Sequence, residues 1–195
     1  MNSYDKNNKL LHYLNSVQIL VNKNNKLPKN YTPNDLELIN AKFTSKEIHL
    51  RKEAKIHFEL MCKKAKENNL NIMGVSGYRS YEYQDKLYNN YVKEKGYEYA
   101  SLCSAKAGCS EHQTGLAIDV SDISLDYDNF DQTKEFTWTL ENAHKYGFIL
   151  RYPKNKTNIT GFKYEPWHYR YIGKKIAKYI YQNNITLEEY KELIK

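Results

Sequence analysis

The chain lacks a long hydrophobic run, and this absence excludes the simplest kind of membrane protein. None of its 195 residues belongs to an uninterrupted apolar stretch of about eighteen residues, the length that a transmembrane helix needs. The opening Met-Asn-Ser-Tyr-Asp-Lys also lacks the apolar stretch of a secretory signal peptide. We therefore expect either a cytoplasmic protein or an exported protein whose export or anchor segment lies outside this sequence.

Cysteine is also scarce. The three cysteines are Cys62, Cys103 and Cys109, and an odd number does not form a disulfide framework. No pair has the Cys-x-x-Cys spacing that a cysteine-based zinc site uses. Cys103 and Cys109 could bridge across a loop in an oxidising compartment, and their spacing alone leaves that bridge open.

An arginine-rich stripe is missing as well, although the formal net charge is +7. Most of the positive charge is lysine, and it is dispersed along the chain rather than gathered in one patch. The basic-patch criteria therefore argue against a nucleic-acid-binding protein. The positive charge is compatible with an anionic neighbourhood, namely nucleic acid, acidic lipid or an anionic cell-wall polymer, but the dispersed lysines are more typical of solvated helix faces.

The pattern of apolar residues predicts an α+β fold. No internal repeat is present, so we expect a lead-in over residues 1–16 and a single domain over 17–195. The predicted strands are 17–21, 72–78, 116–120, 148–152 and 167–171. One predicted helix begins at Thr32, and three others cover 47–68, 80–95 and 133–146. Two more helices are predicted at the C-terminus. Residues 97–108 and 153–158 are predicted loops. This order favours a small central antiparallel sheet flanked by helices.

A split set of possible metal ligands stands out from the rest of the sequence. His112 and Asp119 are seven residues apart, and His168 follows much later. Two imidazoles and one carboxylate suit a catalytic zinc ion, which keeps a further position for water. Glu165, three residues before the second histidine, is suited to act as a base toward that water. The set predicts metal-assisted hydrolysis.

Glu165 and His168 can share one site only if the backbone between them bends. Residues three apart on a regular strand point to opposite faces, so Glu165 and His168 cannot reach one site from a straight strand. Pro166 pushes the residue before it toward extended geometry. We therefore predict a bend at Pro166 that brings both side chains to the metal.

A second candidate feature follows the strand predicted at 72–78. Arg79 comes just after a glycine turn, where its planar guanidinium could project into a cleft and bind a carboxylate through two hydrogen bonds. Gln84, on the first turn of the next predicted helix, could add a donor. The alternative is an ordinary surface arginine that pairs with a nearby acid.

Several segments together resemble a known family. They are SGYRSYEYQ, SEHQTGLAIDV, NAHKYGFILRYP and EPWHYRYIG, with LVNKNNKLPKNYTPNDL upstream. They are similar to the VanY-type zinc D-alanyl-D-alanine carboxypeptidases, which include L,D-carboxypeptidases that act on peptidoglycan tetrapeptides. The resemblance covers the chain from about Gln18 to its C-terminus, and the joint presence of SxHxxGxAxD and ExWH makes it specific.

The resemblance implies the fold that these peptidases share with the hedgehog signalling domain. It also implies one zinc ion per chain and a site of seven residues. By role, these are the zinc ligands His112, Asp119 and His168, the general base and acid Glu165, the substrate-side cation Arg79, and the cleft residues Gln84 and Ser110.

The activity that the resemblance implies is removal of the C-terminal D-alanine from peptidoglycan stem peptides, with D,D or L,D specificity left open. Such an enzyme is expected to be a monomer at the outer face or cell wall of a bacterium. Two alternatives share the site: an endolysin-like peptidoglycan endopeptidase and a non-catalytic, hedgehog-like zinc-binding module. The presence of Glu165 weighs against the module, which has no need of a base.

Overall fold

Six short strands form two antiparallel sheets in this computed structural model, which describes residues 14–194. The strands are β1 (Leu36–Leu38), β2 (His49–Arg51), β3 (Met73–Ser76), β4 (Ala117–Ser121), β5 (Phe148–Leu150) and β6 (His168–Tyr171). The central sheet has the order β3-β4-β6-β5, and β1 pairs with β2 in the smaller one. The predicted lead-in over 1–16 lies almost wholly outside the described residues.

Helices surround the sheets and complete the α+β fold that the sequence predicts. They are α1 (Lys52–Glu67), α2 (Tyr81–Lys95), α3 (Tyr97–Cys103), α4 (Lys134–Asn142), α5 (Thr157–Thr160), α6 (Lys174–Asn183) and α7 (Leu187–Leu193). None of the helices within 14–194 combines the length and apolar character of a bilayer-crossing segment.

The predicted helix ends are present where side chains can cap them. The Ser80 hydroxyl accepts a hydrogen bond from the Tyr83 amide at the start of α2, which satisfies one of the free amides of the first turn. Thr186 and Glu189 form the predicted capping box at the start of α7. These local signals lie within a few residues of sequence, so the sequence alone was sufficient to find them.

The main core lies between α1 and the central sheet. Phe58 and Met61 on α1 are fully buried, on the apolar stripe that the spacing predicts. They join a cluster that contains Ile118 and Val120 from one face of β4. Burying one such side chain stabilises the fold by roughly 1.5–3 kcal/mol. The opposite face of β4 carries Asp119, so the core anchors the strand that presents this carboxylate.

The strand predicted at 17–21 is wrong. Val17 lies in a turn, and Ile19 and Val21 lie in irregular chain, although both are buried. The carbonyl oxygens of Val17 and Ile19 accept hydrogen bonds from the Arg170 guanidinium, at 3.0 and 2.7 Å. An arginine side chain from a distant strand therefore satisfies the backbone carbonyls of this segment, in place of the neighbouring strand that the prediction requires.

The region from Thr32 to the start of α1 also differs from the prediction. A turn and then β1 replace the helix predicted at Thr32, and β2 occupies 49–51, so α1 starts at Lys52 instead of residue 47. The two strands pair through Leu36 opposite Arg51. Arg51 Nε also donates to Asp35 Oδ1 at 2.8 Å. This pairing between distant segments overrides the local helical signal.

Two predicted loops contain helices. Residues 97–108 include α3, and the loop after β5 includes the short α5. Gly96 ends α2 and also precedes α3, and burial of Ala100 holds α3 against the fold. Cys103 and Cys109 are both free thiols in this structure.

Candidate metal centre and active-site cavity

The central sheet places two of the predicted ligands opposite each other. Asp119 on β4 pairs directly with His168 on β6, and directly opposed residues on antiparallel strands have their side chains close together. Ser76, at the end of β3, pairs with Asp119 from the other side. The strand register therefore aligns a carboxylate and an imidazole that are 49 positions apart in the sequence.

The remaining histidine comes from a tight turn before β4. His112 lies in a single 3₁₀ turn, Glu111–Thr114, whose first residue is preceded by the capping Ser110. Gly115 ends the turn with a φ of 66°, and a Cβ there would lie 2.8 Å from Leu36 Cδ2. Glycine is suited to this left-handed, crowded position, which explains the glycine between the two ligands.

The three side chains converge on one point. The Asp119 Oδ1 atom lies 3.3 Å from His112 Nε2 and 3.2 Å from His168 Nδ1. One ligand atom from each of the three residues lies within 4.8 Å of the other two, and all three residues are buried. The structure thus brings together the residues that the sequence predicts as metal ligands.

The hydrogen bonds behind the two imidazoles decide which ring nitrogens face this point. His112 Nδ1 lies 2.6 Å from the carbonyl oxygen of Gly77, and His168 Nε2 lies 3.4 Å from Glu111 Oε2. Both acceptors require a hydrogen on the imidazole, so in the neutral rings the lone pairs are left on the two nitrogens that face Asp119.

This donor set fits a zinc ion. Asp119 Oδ1 is buried without a hydrogen-bond partner, which is an expensive state for a carboxylate oxygen that nothing binds. Two imidazole lone pairs point to the same place as this oxygen. Two histidines and one carboxylate are a ligand set of catalytic zinc sites, and these residues could hold the metal.

Glu165 lies beside this cluster. The His168 amide donates to the Glu165 carbonyl at 3.3 Å, and this turn through Pro166 is the bend that the sequence predicts. Glu165 Oε2 lies 3.6 Å from His168 Nδ1. Burial raises the pKa of Glu165 to about 7, so this carboxyl group can hold or release a proton near neutral pH.

The two histidines have opposite electrostatic surroundings. Burial, together with the positive charge of Arg79, lowers the pKa of His112 to about 4. Burial also lowers the pKa of His168, but its contacts with the Asp119 and Glu111 carboxylates outweigh this and raise that pKa to about 9, so a bound metal would take the place of the proton on Nδ1. Burial likewise opposes the charge on Asp119, yet His112 and Arg79 hold its pKa well below the usual range.

Arg79 contacts the predicted metal ligand itself. Its Nη2 atom donates to Asp119 Oδ2 at 2.6 Å, its Nε donates to Ser76 Oγ at 2.9 Å, and Nη1 lies 3.4 Å from Gln84 Oε1. The sequence left open a pairing with a nearby acid, and here the acid is Asp119. Arg79 therefore fixes one carboxylate oxygen and leaves the other free to face the histidines.

A cavity of about 220 Å³ opens onto the cluster. All seven predicted site residues line it. It is also lined by aromatic side chains to which the sequence analysis gave no role, namely Tyr83, Tyr91, Tyr127, Tyr152, Phe162 and Trp167. The cavity combines apolar walls with a few convergent polar groups, as small-molecule and peptide sites do.

The support of His168 comes from residues outside the predicted site. Glu111, which is part of the segment SEHQTGLAIDV, is fully buried between Arg151 and Arg170. Burial would raise the pKa of Glu111, but the two arginines hold it well below its ordinary value. A usable signal was present, because both arginines fall inside segments that carry the family resemblance.

Comparison with known proteins identifies the family. The sequence model of the VanY family, described as D-alanyl-D-alanine carboxypeptidase, matches residues 47–174. The chain belongs to the VanY family. A curated relative, the bifunctional D-Ala-D-Ala dipeptidase and D-Ala-D-Ala carboxypeptidase VanXYC of Enterococcus gallinarum, is 38% identical over 186 residues, which are 93% of this chain and 96% of that protein.

Solved structures of related proteins share the fold. One is LdcB, an LD-carboxypeptidase whose structure addresses peptidoglycan recognition. It is 45% identical to this chain with a TM-score of 0.86, and the match covers 92% of this chain and 87% of the LdcB chain. Another is a mutant of the D,D-pentapeptidase VanY from a VanB-type resistance cassette, in complex with Zn(II). It is 34% identical with a TM-score of 0.75, and the match covers 89% of this chain and 98% of the VanY chain. This VanY-family protein is therefore a carboxypeptidase with the expected α+β fold.

Proposed function

We propose that this VanY-family protein is a zinc-dependent carboxypeptidase that removes the terminal D-alanine from peptidoglycan stem peptides. The observation that carries the proposal is the convergence of His112, Asp119 and His168 to within 4.8 Å. Glu165 stands beside them in the same cavity. The cluster supplies a metal site, and the extra carboxylate supplies a base.

The relatives support the substrate class. VanXYC is named for its action on D-Ala-D-Ala, LdcB for L,D-carboxypeptidase activity, and the VanY structure contains Zn(II). The higher identity to LdcB than to VanY favours the tetrapeptide, which ends in a single D-alanine, as the preferred substrate. Action on this polymer implies a location at the bacterial cell wall, which forms part of the proposal.

A zinc ion held by His112, Asp119 and His168 would polarise the scissile carbonyl and lower the pKa of a water molecule. The side chains of the protein carry the rest of the reaction. Glu165 accepts the proton of the attacking water and then donates it to the leaving amine of D-alanine. Burial raises the pKa of Glu165 above its ordinary value, which favours proton uptake by this carboxylate in the first step.

The remaining site residues hold the substrate and the ligands in place. Arg79 fixes Asp119 through its 2.6 Å contact and presents positive charge to the cavity, where a carboxylate or a developing oxyanion is stabilised. Gln84 lies against Arg79, with its amide nitrogen donating to the Ala105 carbonyl at 2.8 Å. Ser110 lines the same cavity, and its hydroxyl accepts a hydrogen bond from the His112 amide at 3.4 Å. We assign these three residues to substrate recognition.

The test uses two muropeptides, a pentapeptide ending in D-Ala-D-Ala and a tetrapeptide ending in one D-alanine, with products read by mass spectrometry. We expect loss of one alanine, stopped by a chelator and restored by zinc, and the peptide that is trimmed assigns D,D or L,D specificity. Internal cleavage would indicate an endopeptidase instead. No cleavage of either peptide by zinc-loaded protein would favour a binding module.

A single substitution tests the role of the base. Glu165→Gln should bind zinc like the unmodified protein but lose turnover by a factor of about 10²–10⁴. Glu94→Gln, on the exposed face of α2, is the matched control and should retain full activity. A Glu165→Gln protein that works at the normal rate would disprove this mechanism.

A further inference from the structure

We propose that a buried charge network, formed by Glu111, Arg151, Arg170 and Glu188, orients His168 for metal binding. Through this network the C-terminal helix α7 becomes part of the metal centre. The inference rests on the proposed zinc site. It assigns positioning roles to residues that do not contact the substrate.

The network begins directly behind His168. Glu111 Oε2 lies 3.4 Å from His168 Nε2. The other oxygen, Oε1, accepts from Arg151 Nε at 2.8 Å and from Arg170 Nη1 at 2.7 Å. Two guanidinium groups on one oxygen hold the carboxylate in a fixed plane and keep it ionised. The free oxygen is therefore aimed at the histidine.

Arg151 extends the network to the C-terminal helix. Its Nη1 and Nη2 atoms donate to the two oxygens of Glu188, at 2.8 and 2.6 Å. This paired contact fixes both the distance and the plane of the two groups. Glu188 lies in the first turn of α7, and its Oε1 also accepts from Asn22 Nδ2 at 3.1 Å.

Arg170 ties the network to the other end of the described chain. Its Nη2 atom donates to the carbonyl oxygens of Val17 and Ile19, and its Nε donates to the Tyr171 carbonyl at 3.0 Å. The arginine thus has partners on three sides. Segments before residue 47 and after residue 174, beyond the part that the family model matches, complete the surroundings of Glu111.

Burial makes this arrangement sensitive to the loss of any one member. The side chains of Glu111, Arg151 and Arg170 have no exposed surface, and that of Glu188 is 13% exposed. Two carboxylates balance two guanidinium groups. A buried charge that loses its partner is strongly disfavoured, so removal of one group should shift the rest and release Glu111 from its position.

The consequence reaches the metal through the imidazole. A carboxylate only accepts hydrogen bonds, so Glu111 requires a hydrogen on His168 Nε2, and in the neutral form that binds a metal the lone pair lies on Nδ1. That nitrogen is the one that lies 3.2 Å from Asp119 Oδ1. Loss of such an outer partner typically weakens metal binding by roughly 10–100-fold.

The experiment compares zinc affinity among variants of the 195-residue chain. Zinc dissociation constants are measured by competition with a chromophoric chelator, and the visible absorption of the cobalt(II) protein reports ligand geometry. We expect Glu111→Gln to weaken zinc binding by about 10–100-fold and Glu188→Gln to weaken it by about 10-fold, with altered cobalt spectra in both. Glu188→Gln is the milder change, and it keeps the test decisive if Glu111→Gln does not fold.

Lys156→Gln is the matched control. Lys156 Nζ contacts Glu189, the neighbour of Glu188 on α7, at 2.9 Å, so this variant loosens the same helix without touching the network. It should bind zinc normally. Equal weakening by Lys156→Gln and Glu188→Gln would overturn the inference, because general docking of α7 would then explain both.

Two other outcomes separate this inference from the proposed function. If the unmodified protein binds zinc and both glutamine variants bind it equally well with unchanged cobalt spectra, the network has no positioning role and the proposed function stands. If the unmodified protein fails to bind zinc at all, the proposed function falls and this inference falls with it.

Discussion

The two histidines of the candidate metal centre are held by different kinds of structure. His112 bonds to the backbone carbonyl of Gly77 at 2.6 Å, and the end of β3 fixes that carbonyl. His168 faces a carboxylate, Glu111, whose position depends on other charged side chains. Backbone support follows from the fold itself, whereas side-chain support requires several residues to be correct at the same time.

The difference extends to where each support comes from. Gly77, His112 and the turn-ending Gly115 all fall within residues 47–174, the range that the family model matches. The support of His168 also needs Glu188 and the carbonyls near Ile19, outside that range. We therefore expect the His168 side to be more sensitive to single charge changes, and the His112 side to be sensitive mainly to steric change.

The largest expected effect is on the His168 side. Arg151→Met removes an arginine from both carboxylates, which leaves Glu111 with Arg170 and Glu188 with only the neutral Asn22 amide among these contacts, so the free energy of unfolding should fall by about 3–5 kcal/mol. Urea denaturation measures it. Lys64→Met, which breaks an exposed contact with Glu67, is the control and should change stability by no more than about 0.5 kcal/mol. Similar losses in both variants would contradict the claimed difference between buried and exposed charge.

The next effect is steric and lies on the His112 side. A Cβ at Gly77 would lie 2.6 Å from the His49 carbonyl oxygen, and backbone there cannot easily move. Gly77→Ala should cost about 1–3 kcal/mol and should weaken zinc binding, because the carbonyl that holds His112 shifts. Calorimetry and zinc titration measure the two effects.

Gly74→Ala is the control for that substitution. Gly74 lies on β3, three residues before Gly77, but its Cβ would meet the flexible end of Ile118 at 3.1 Å, and its carbonyl does not hold His112. We expect lower stability with normal zinc affinity. Normal zinc affinity in Gly77→Ala as well would mean that the backbone support of His112 is unimportant.

The same division between local and distant support explains which features the sequence could predict. The α1 stripe and the Ser80 cap were visible because their partners lie within a few residues, and the ligand set was visible through its motifs. The strand predicted at 17–21 was wrong because the Arg170 guanidinium binds its carbonyls. Glu188 has its partner 37 positions away, and no local pattern reports such a distance.

A double substitution sharpens the comparison further. Glu188→Leu removes the carboxylate that Arg151→Met leaves without its arginine partner. The double variant should therefore lose less stability than the sum of the losses in the two single variants. We expect a coupling of about 0.5–3 kcal/mol in a double-mutant cycle measured by urea denaturation. Zinc affinity should remain low, because Glu111 still lacks Arg151. Additive losses would show that Arg151 and Glu188 do not act together.

The smallest effect should come from the outer face of α7. Lys156 and Glu189 are each about a quarter to a third exposed, and water screens such pairs. Lys156→Gln should therefore lower the free energy of unfolding by no more than about 1 kcal/mol, and this small loss should shrink further in high salt. Thermal melts at two salt concentrations measure it. A loss as large as that of Arg151→Met would mean that α7 is held mainly by its exposed contacts, and the buried network would no longer explain why the helix matters to His168.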